Sequence, residues 1–147
     1  MGIIVTRAYS AIFVACMLIS MPLHAKKPVL PTPETIPEAP TLTAEDLVNL
    51  VGNTPDLIIV DARITKDRAH GHIEGSISLP DIDTSCNKLD DIIPNKATPA
   101  AFYCNGIKCG RSVRAVKIAK LCGYQNLHWF RGGFDEWQSR GFPILKE

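Results

Sequence analysis

The chain has no CxxC pair, no CxxCH run, no internal repeat and no apolar stretch long enough to span a bilayer. The first two absences exclude a thioredoxin-like redox motif and covalent haem attachment. Zinc is poorly served as well. Cys104 and Cys109 stand close together, but the only other His-bearing cluster is "GHI" around His72, which leaves too few ligands for a tetrahedral site. No metal and no cofactor is expected. From Ile92 to Phe134 there is also no aspartate or glutamate, against Lys96, Lys108, Arg111, Arg114, Lys117, Lys120 and Arg131. A region of that charge should attract anions. Its basic residues are spread over a strand, a loop and a helix without interleaved aromatics, so the expected ligand is a small oxyanion and not a nucleic acid.

What is present begins with residues 1–25. Arg7 precedes the apolar run "AIFVACMLIS", and "MPLHA" precedes Lys26, the order of a secretory signal cut after Ala25. Residues 8–23 fall short of the roughly 20 apolar residues of a spanning helix, and Ser10, Ser20 and Pro22 interrupt or end them. Cys16 lies inside a run that continues as Met17, Leu18 and Ile19, which disfavours lipid attachment there. The expected product is periplasmic, with no stable membrane insertion. Residues 26–42, with Pro28, Pro31, Pro33, Pro37 and Pro40, read as an extended tether. That leaves residues 43–147 as a single domain. Arg7 is the leader's only charged residue, so of 16 basic and 15 acidic side chains the mature chain keeps 15 of each.

In the domain, "TAEDLVNLVG" predicts a short amphipathic helix, capped by Thr43 with Asp46 three residues on and stopped at Gly52. "DLIIVDAR" reads as a strand buried on both faces and ending at Asp61 and Arg63. "SISLP" (76–80), "PAAFYC" (99–104) and "LHWF" (127–130) are further strands. "RSVRAVKIAKLCGY" is a helix stopped at Gly123, and "GFDEWQSRG" a closing helix. This alternation implies an α/β fold with parallel neighbours in the sheet. Ligands of such sheets bind beyond the carboxyl ends of the strands. Cys104 is expected there, at the last position of its strand.

The loop after Cys104 leads straight into a helix whose first N–H groups lack partners, which suits an anion. Gly106 and Gly110 permit tight backbone angles, and Lys108 and Arg111 add charge. In that setting the Cys104 thiol should lose its proton easily, making it a candidate nucleophile. A buried cysteine ending a strand is the plain structural alternative. A disulfide also stays open: in an oxidising compartment Cys86, Cys104, Cys109 and Cys122 can pair fully in three ways.

"LIIVDAR", "AHGHIEGSISLP", "FYCNGIKCGRSVRAVKIAKLCGY" and "LHWFRGGFDEWQSRGFPI", in that order, resemble the single-domain rhodanese family of sulfurtransferases over almost all of residues 43–145. The resemblance implies a central, mainly parallel sheet of about five strands flanked by helices on both faces. It makes Cys104 the nucleophile that carries sulfur as a persulfide. The donor it implies is a small anion such as thiosulfate, and the acceptor cyanide or a thiol, including a thiol protein. Asn105, Gly106, Ile107, Lys108, Cys109 and Gly110 then form the cradle for sulfur and donor, with Arg111 on the donor oxyanion. Ser112 begins the helix and supports the loop, and Asp61 and Arg63 buttress it from the neighbouring strand. His72 fits a turn and packing role, Gly132 and Gly133 a close turn beside the site, and Trp137 the core.

One departure stands out. Arg111 follows Cys104 by seven residues, where the family's usual loop has five, and the longer loop contains Cys109. A larger cradle admits a larger anion, which keeps phosphatase-like or arsenate-reductase-like activity open. Cys109 is a candidate resolving thiol toward a Cys104 persulfide, or its disulfide partner. A non-catalytic, redox-sensing binding module is the reading from another class.

Overall fold

The computed structural model describes residue 2 and residues 32–146. The expected leader at residues 1–25, apart from Gly2 and including Cys16, lies outside the described residues, as do residues 26–31 and 147.

Thr43 caps the helix α1 (Ala44–Asn53) as its sequence suggests. The Thr43 hydroxyl accepts from the Asp46 N–H at 3.1 Å, and the Asp46 carboxylate accepts from the Thr43 N–H at 2.9 Å. The helix runs one residue past Gly52. The strands β1 (Thr41–Leu42), β2 (Ile58–Asp61), β4 (Ile77–Ser78), β5 (Ala100–Tyr103) and β6 (Leu127–Phe130) form a five-stranded sheet in the order β1-β6-β5-β2-β4, every neighbouring pair parallel. A separate antiparallel ribbon pairs β3 (His72–Ile73) with β7 (Ile144–Leu145).

The apolar runs in β2, β5 and β6 are continuous because both faces of the sheet are covered. Val60, Ala100, Phe102, Leu127 and Trp129 point to one side, packed with α3 (Cys86–Ile92) and α4 (Arg111–Leu121) through Leu89, Val113, Val116 and Ala119. Ile59, Ala101, Tyr103 and Phe130 point to the other, against Ala44 and Leu47 of α1 and Phe134 and Trp137 of α5 (Gly133–Ser139). Two-residue alternation along each strand thus produces two cores, one per face. The Trp137 indole N–H also donates to the Pro143 carbonyl at 2.8 Å, as befits a core residue.

The chain joins this core earlier than its proline content suggests. Ile36 and Ala39 are buried, and Thr41–Leu42 pairs with β6. Proline removes an N–H but keeps its carbonyl, which an edge position can use. The Pro40 carbonyl accepts from the Trp129 N–H at 2.9 Å, Pro33 from Arg131 Nε at 3.0 Å and Pro37 from Lys120 Nζ at 2.6 Å. The reading of residues 26–42 as an extended tether is therefore corrected for residues 36–42, which dock on the domain. α3, with Ser85 accepting from the Lys88 N–H, and the short α2 (Thr65–Ala69) were not foreseen from the pattern.

Candidate active site at the end of the central strand

β5 lies in the middle of the sheet, and Cys104 is the first residue beyond it, one position later than its sequence suggests. The backbone on either side is pinned. The Tyr103 carbonyl accepts from the Ala62 N–H at 3.0 Å, and the Cys104 and Asn105 carbonyls accept from the N–H groups of Phe134 and Asp135 at 2.8 and 2.7 Å. The last two bonds bring the start of α5 against the loop so closely that a β-carbon at position 133 would clash with the Cys104 carbonyl oxygen. Gly133 also sits at φ +59°, so the close turn expected of this glycine serves two ends at once.

From Cys104 the chain makes a turn, closed by the Cys109 N–H on the Gly106 carbonyl at 2.9 Å, and enters α4 at Arg111. Gly110, the residue before the helix, supplies no side-chain cap, so the first N–H groups of α4 are left to the loop or to a ligand. Residues 105–111 and Asp135 line an open cleft of about 690 Å³. Asn105, Gly106, Ile107, Lys108, Cys109, Gly110 and Arg111 are all on its wall. Cys104 itself is only 1% exposed, and its sulfur is bonded to that of Cys109. Cys86 and Cys122 form the other disulfide, so of three full pairings the structure has the one that joins near neighbours in the loop and clips α3 to α4. Ser112, buried, accepts from the Trp129 indole N–H at 3.0 Å and ties the start of α4 to β6.

Beneath the loop lies a buried polar cluster. Arg63 donates from Nε and Nη2 to the two oxygens of Asp61 at 2.9 and 2.7 Å, and from Nη2 to the Gly71 carbonyl at 2.8 Å. The Tyr103 hydroxyl donates to Asp61 at 2.6 Å, and Arg68 reaches Asp61 at 3.4 Å and Ser76 at 2.9 Å. The Arg63 guanidinium lies over the Phe134 ring at 4.4 Å. Burial alone pushes the Asp61 carboxyl up, but hydrogen bonds from Arg63 and Tyr103 and the Arg63 charge outweigh it, and the net displacement is downward. Burial, then the Asp61 charge, raise the Tyr103 phenol well above its usual range. Asp61 is thus a fixed anion whose partners include Tyr103, the residue immediately before Cys104. His72, also buried, belongs to the β3–β7 ribbon and not to the cleft wall.

The rim is more acidic than the acid-free stretch suggests. Arg111 meets Asp67 at 3.3 Å and Asp81 at 3.8 Å, and Arg114 meets Asp81 at 3.6 Å. Asn105 Nδ2 donates to the same Asp67 oxygen at 3.0 Å. Lys96 pairs with Asp90, Lys120 with Glu38 and Arg131 with Glu34. Among the described residues only Lys108 and Lys117 of that stretch lack an acidic partner, and Lys108 is on the cleft. The broad basic patch is therefore corrected to a local one: acids from α2, from the turn at Asp81 and from the segment before β1 fold over it. Asp67, Asp81, Tyr103 and Asp135 are the site residues that sequence reasoning missed. Asp67, Asp81 and Asp135 reach the site through the docking of α2, the turn at Asp81 and α5, which residue order alone does not fix. Tyr103, although it precedes Cys104, meets Asp61 through the β2–β5 register.

The family model described as "Rhodanese-like domain" matches residues 43–140. A rhodanese domain-containing protein of Drosophila melanogaster is 32% identical over 101 residues, 61% of this chain and 89% of that protein. The thiosulfate:glutathione sulfurtransferase of Saccharomyces cerevisiae is 30% identical over 108 residues, 66% of this chain and 76% of that protein. Among solved structures, the rhodanese-like domain of an Anabaena protein superimposes with a TM-score of 0.65 at 22% identity, covering 74% of this chain and 80% of the other, a likeness of fold.

Proposed function

The chain belongs to the rhodanese-like domain family, and from that premise we propose that it is an exported sulfurtransferase that carries sulfane sulfur on Cys104. The observation that carries the reading is the position of Cys104. It follows the central strand and opens a loop that lines a cleft and ends at an uncapped helix N-terminus. With the Cys104–Cys109 bond reduced, the Cys104 thiolate attacks the outer sulfur of a thiosulfate-like donor. The donor's S–S bond breaks, sulfite leaves with the electron pair, and a persulfide remains on Cys104. A thiolate or cyanide then attacks the outer sulfur and Cys104 departs as thiolate.

Charge handling falls to different groups. The helix N-terminus and Lys108 stabilise the anionic donor and the persulfide. Arg111 reaches the donor oxyanion only by sharing or leaving Asp67, and Asp135 on the cleft wall disfavours a high negative charge beside it. Asp61 and Arg63 hold the strand end from below. Export is supported by the order of residues 1–25, and the surface Cys86–Cys122 bond suits an oxidising compartment.

The test is turnover of the reduced protein with thiosulfate and either cyanide or a small thiol. Sulfite should form with the wild type and not with Cys104→Ser, and no Cys104-dependent sulfite with any sulfane donor would sink the reading. The longer loop, with Arg111 seven residues after Cys104, favours one alternative, chemistry on a larger oxyanion. Cys104-dependent release of phosphate from an aryl ester would support that alternative instead.

A further inference from the structure

Sulfur bound to Cys104 has a second route out. We propose that Cys109 is a resolving thiol: it attacks the Cys104 persulfide, expels hydrosulfide and leaves the Cys104–Cys109 disulfide for an external dithiol to reduce. This rests on the sulfur-transfer reading above and specifies where the sulfur goes.

The geometry begins with the bond itself. The two α-carbons are 6.1 Å apart and the two sulfurs are joined, so Cys109 reaches the inner sulfur of any persulfide on Cys104 with the loop close to its present course. Cys104 Sγ can be bonded to Cys109 or carry an outer sulfur but not both, and the bonded and sulfur-loaded forms are therefore mutually exclusive. Five residues of separation hold the Cys109 thiol at an effective concentration on the order of millimolar or more. It should outrun dilute external thiols. The segment carrying Cys109 has room to yield to the extra sulfur: Ile107 is 53% exposed, Lys108 and Gly110 are exposed, and a β-carbon at Gly110 would touch nothing within 4 Å.

The chemistry balances. In the persulfide Cys104–Sγ–SH the sulfane sulfur is the group to be reduced. The Cys109 thiolate bonds to Cys104 Sγ, the Sγ–SH bond breaks, and HS⁻ leaves with the electron pair. Two protein thiols are oxidised and one sulfane sulfur is reduced. Return to the reduced state requires a dithiol, which attacks the more accessible sulfur, Cys109. That sulfur lines the cleft, whereas Cys104 is covered. The first attack forms a mixed disulfide at Cys109 and frees the Cys104 thiolate, and the second thiol of the dithiol then frees Cys109. The chain would thus couple a sulfane donor and a dithiol reductant to sulfite and hydrosulfide, through the nucleophile and its loop partner.

The test is a single turnover of reduced, desalted protein with thiosulfate and no added thiol, using wild type, Cys109→Ser and Cys109→Ala. Sulfite and hydrosulfide are measured, and differential alkylation with peptide mapping separates the site pair from Cys86–Cys122. The wild type should release about one equivalent of each and regain the Cys104–Cys109 bond. The two variants should release sulfite, keep the extra sulfur on Cys104 and give at least about tenfold less hydrosulfide. Sulfite without hydrosulfide from the wild type, with Cys109 still alkylated, overturns the resolving role and leaves the transfer reading standing. Equal hydrosulfide from wild type and variants overturns it as well. No sulfite from any of them overturns the transfer reading itself.

Discussion

The Cys86–Cys122 and Cys104–Cys109 bonds sit at opposite ends of α4, roughly 16 Å apart along an 11-residue helix. The first spans 36 residues and joins the start of α3 to the residue that follows α4, at the surface. The second spans five and closes only the loop that lines the cleft. On chain entropy the long closure stabilises the fold by about 4 kcal/mol and the short one by about 2. The bond that contributes more to the fold is the one outside the cleft. What sets the Cys104 pair apart is its setting, at the end of the central strand and the mouth of an uncapped helix.

That contrast breaks most visibly at Cys104. Cys104→Ser should lower sulfite release at least about a thousandfold, as loss of a nucleophile does, while urea unfolding loses only the short closure's share, about 2 kcal/mol. Cys86→Ser with Cys122→Ser should do the reverse, losing about 4 kcal/mol in urea unfolding with sulfite release by the reduced protein within about twofold, since nothing at the cleft is removed. If the second variant lost turnover in proportion to stability, the division between clip and site would be wrong.

How much of this was legible before the structure differs between the two regions. "DLIIVDAR", "PAAFYC" and "LHWF" announce strands covered on both sides, and Thr43 with Asp46 announces a helix start, because burial and capping leave local marks. Cys104, Lys108 and Arg111 were legible as a loop cluster for the same reason. Asp67, Asp81 and Asp135 were not, since their approach to Arg111, Arg114 and Gly106 depends on how α2, the turn at Asp81 and α5 dock. Residues 36–42 were misread because proline content tracks loss of N–H donors and says nothing of the carbonyls that β6 and Lys120 use.

Smaller effects sharpen the picture of how the site end is held. Asp61→Asn leaves Arg63 buried beside a neutral amide and should cost about 3 kcal/mol. The Asp61 carboxyl titrates lower when folded than unfolded. Its contribution is therefore complete above the ordinary carboxylate value near pH 4 and is lost as pH falls through the lowered one. Unfolding titrations should show a steeper acid loss in wild type than in Asp61→Asn. Gly133→Ala sets a β-carbon against the Cys104 carbonyl at a positive φ. It should cost about 2 kcal/mol and lower turnover as well, which thermal melts and sulfite assays together will show. Lys108→Gln should raise KM for thiosulfate about threefold at low salt with kcat little changed, and the difference should fade as ionic strength rises.

The most direct measurement is the mass of the Cys104 peptide from reduced Cys109→Ser protein after exposure to thiosulfate. A gain of one sulfur atom on Cys104 is expected, removed by cyanide and absent from Cys104→Ser. An unmodified Cys104 peptide, with the protein folded and its Cys86–Cys122 bond re-formed, would contradict it.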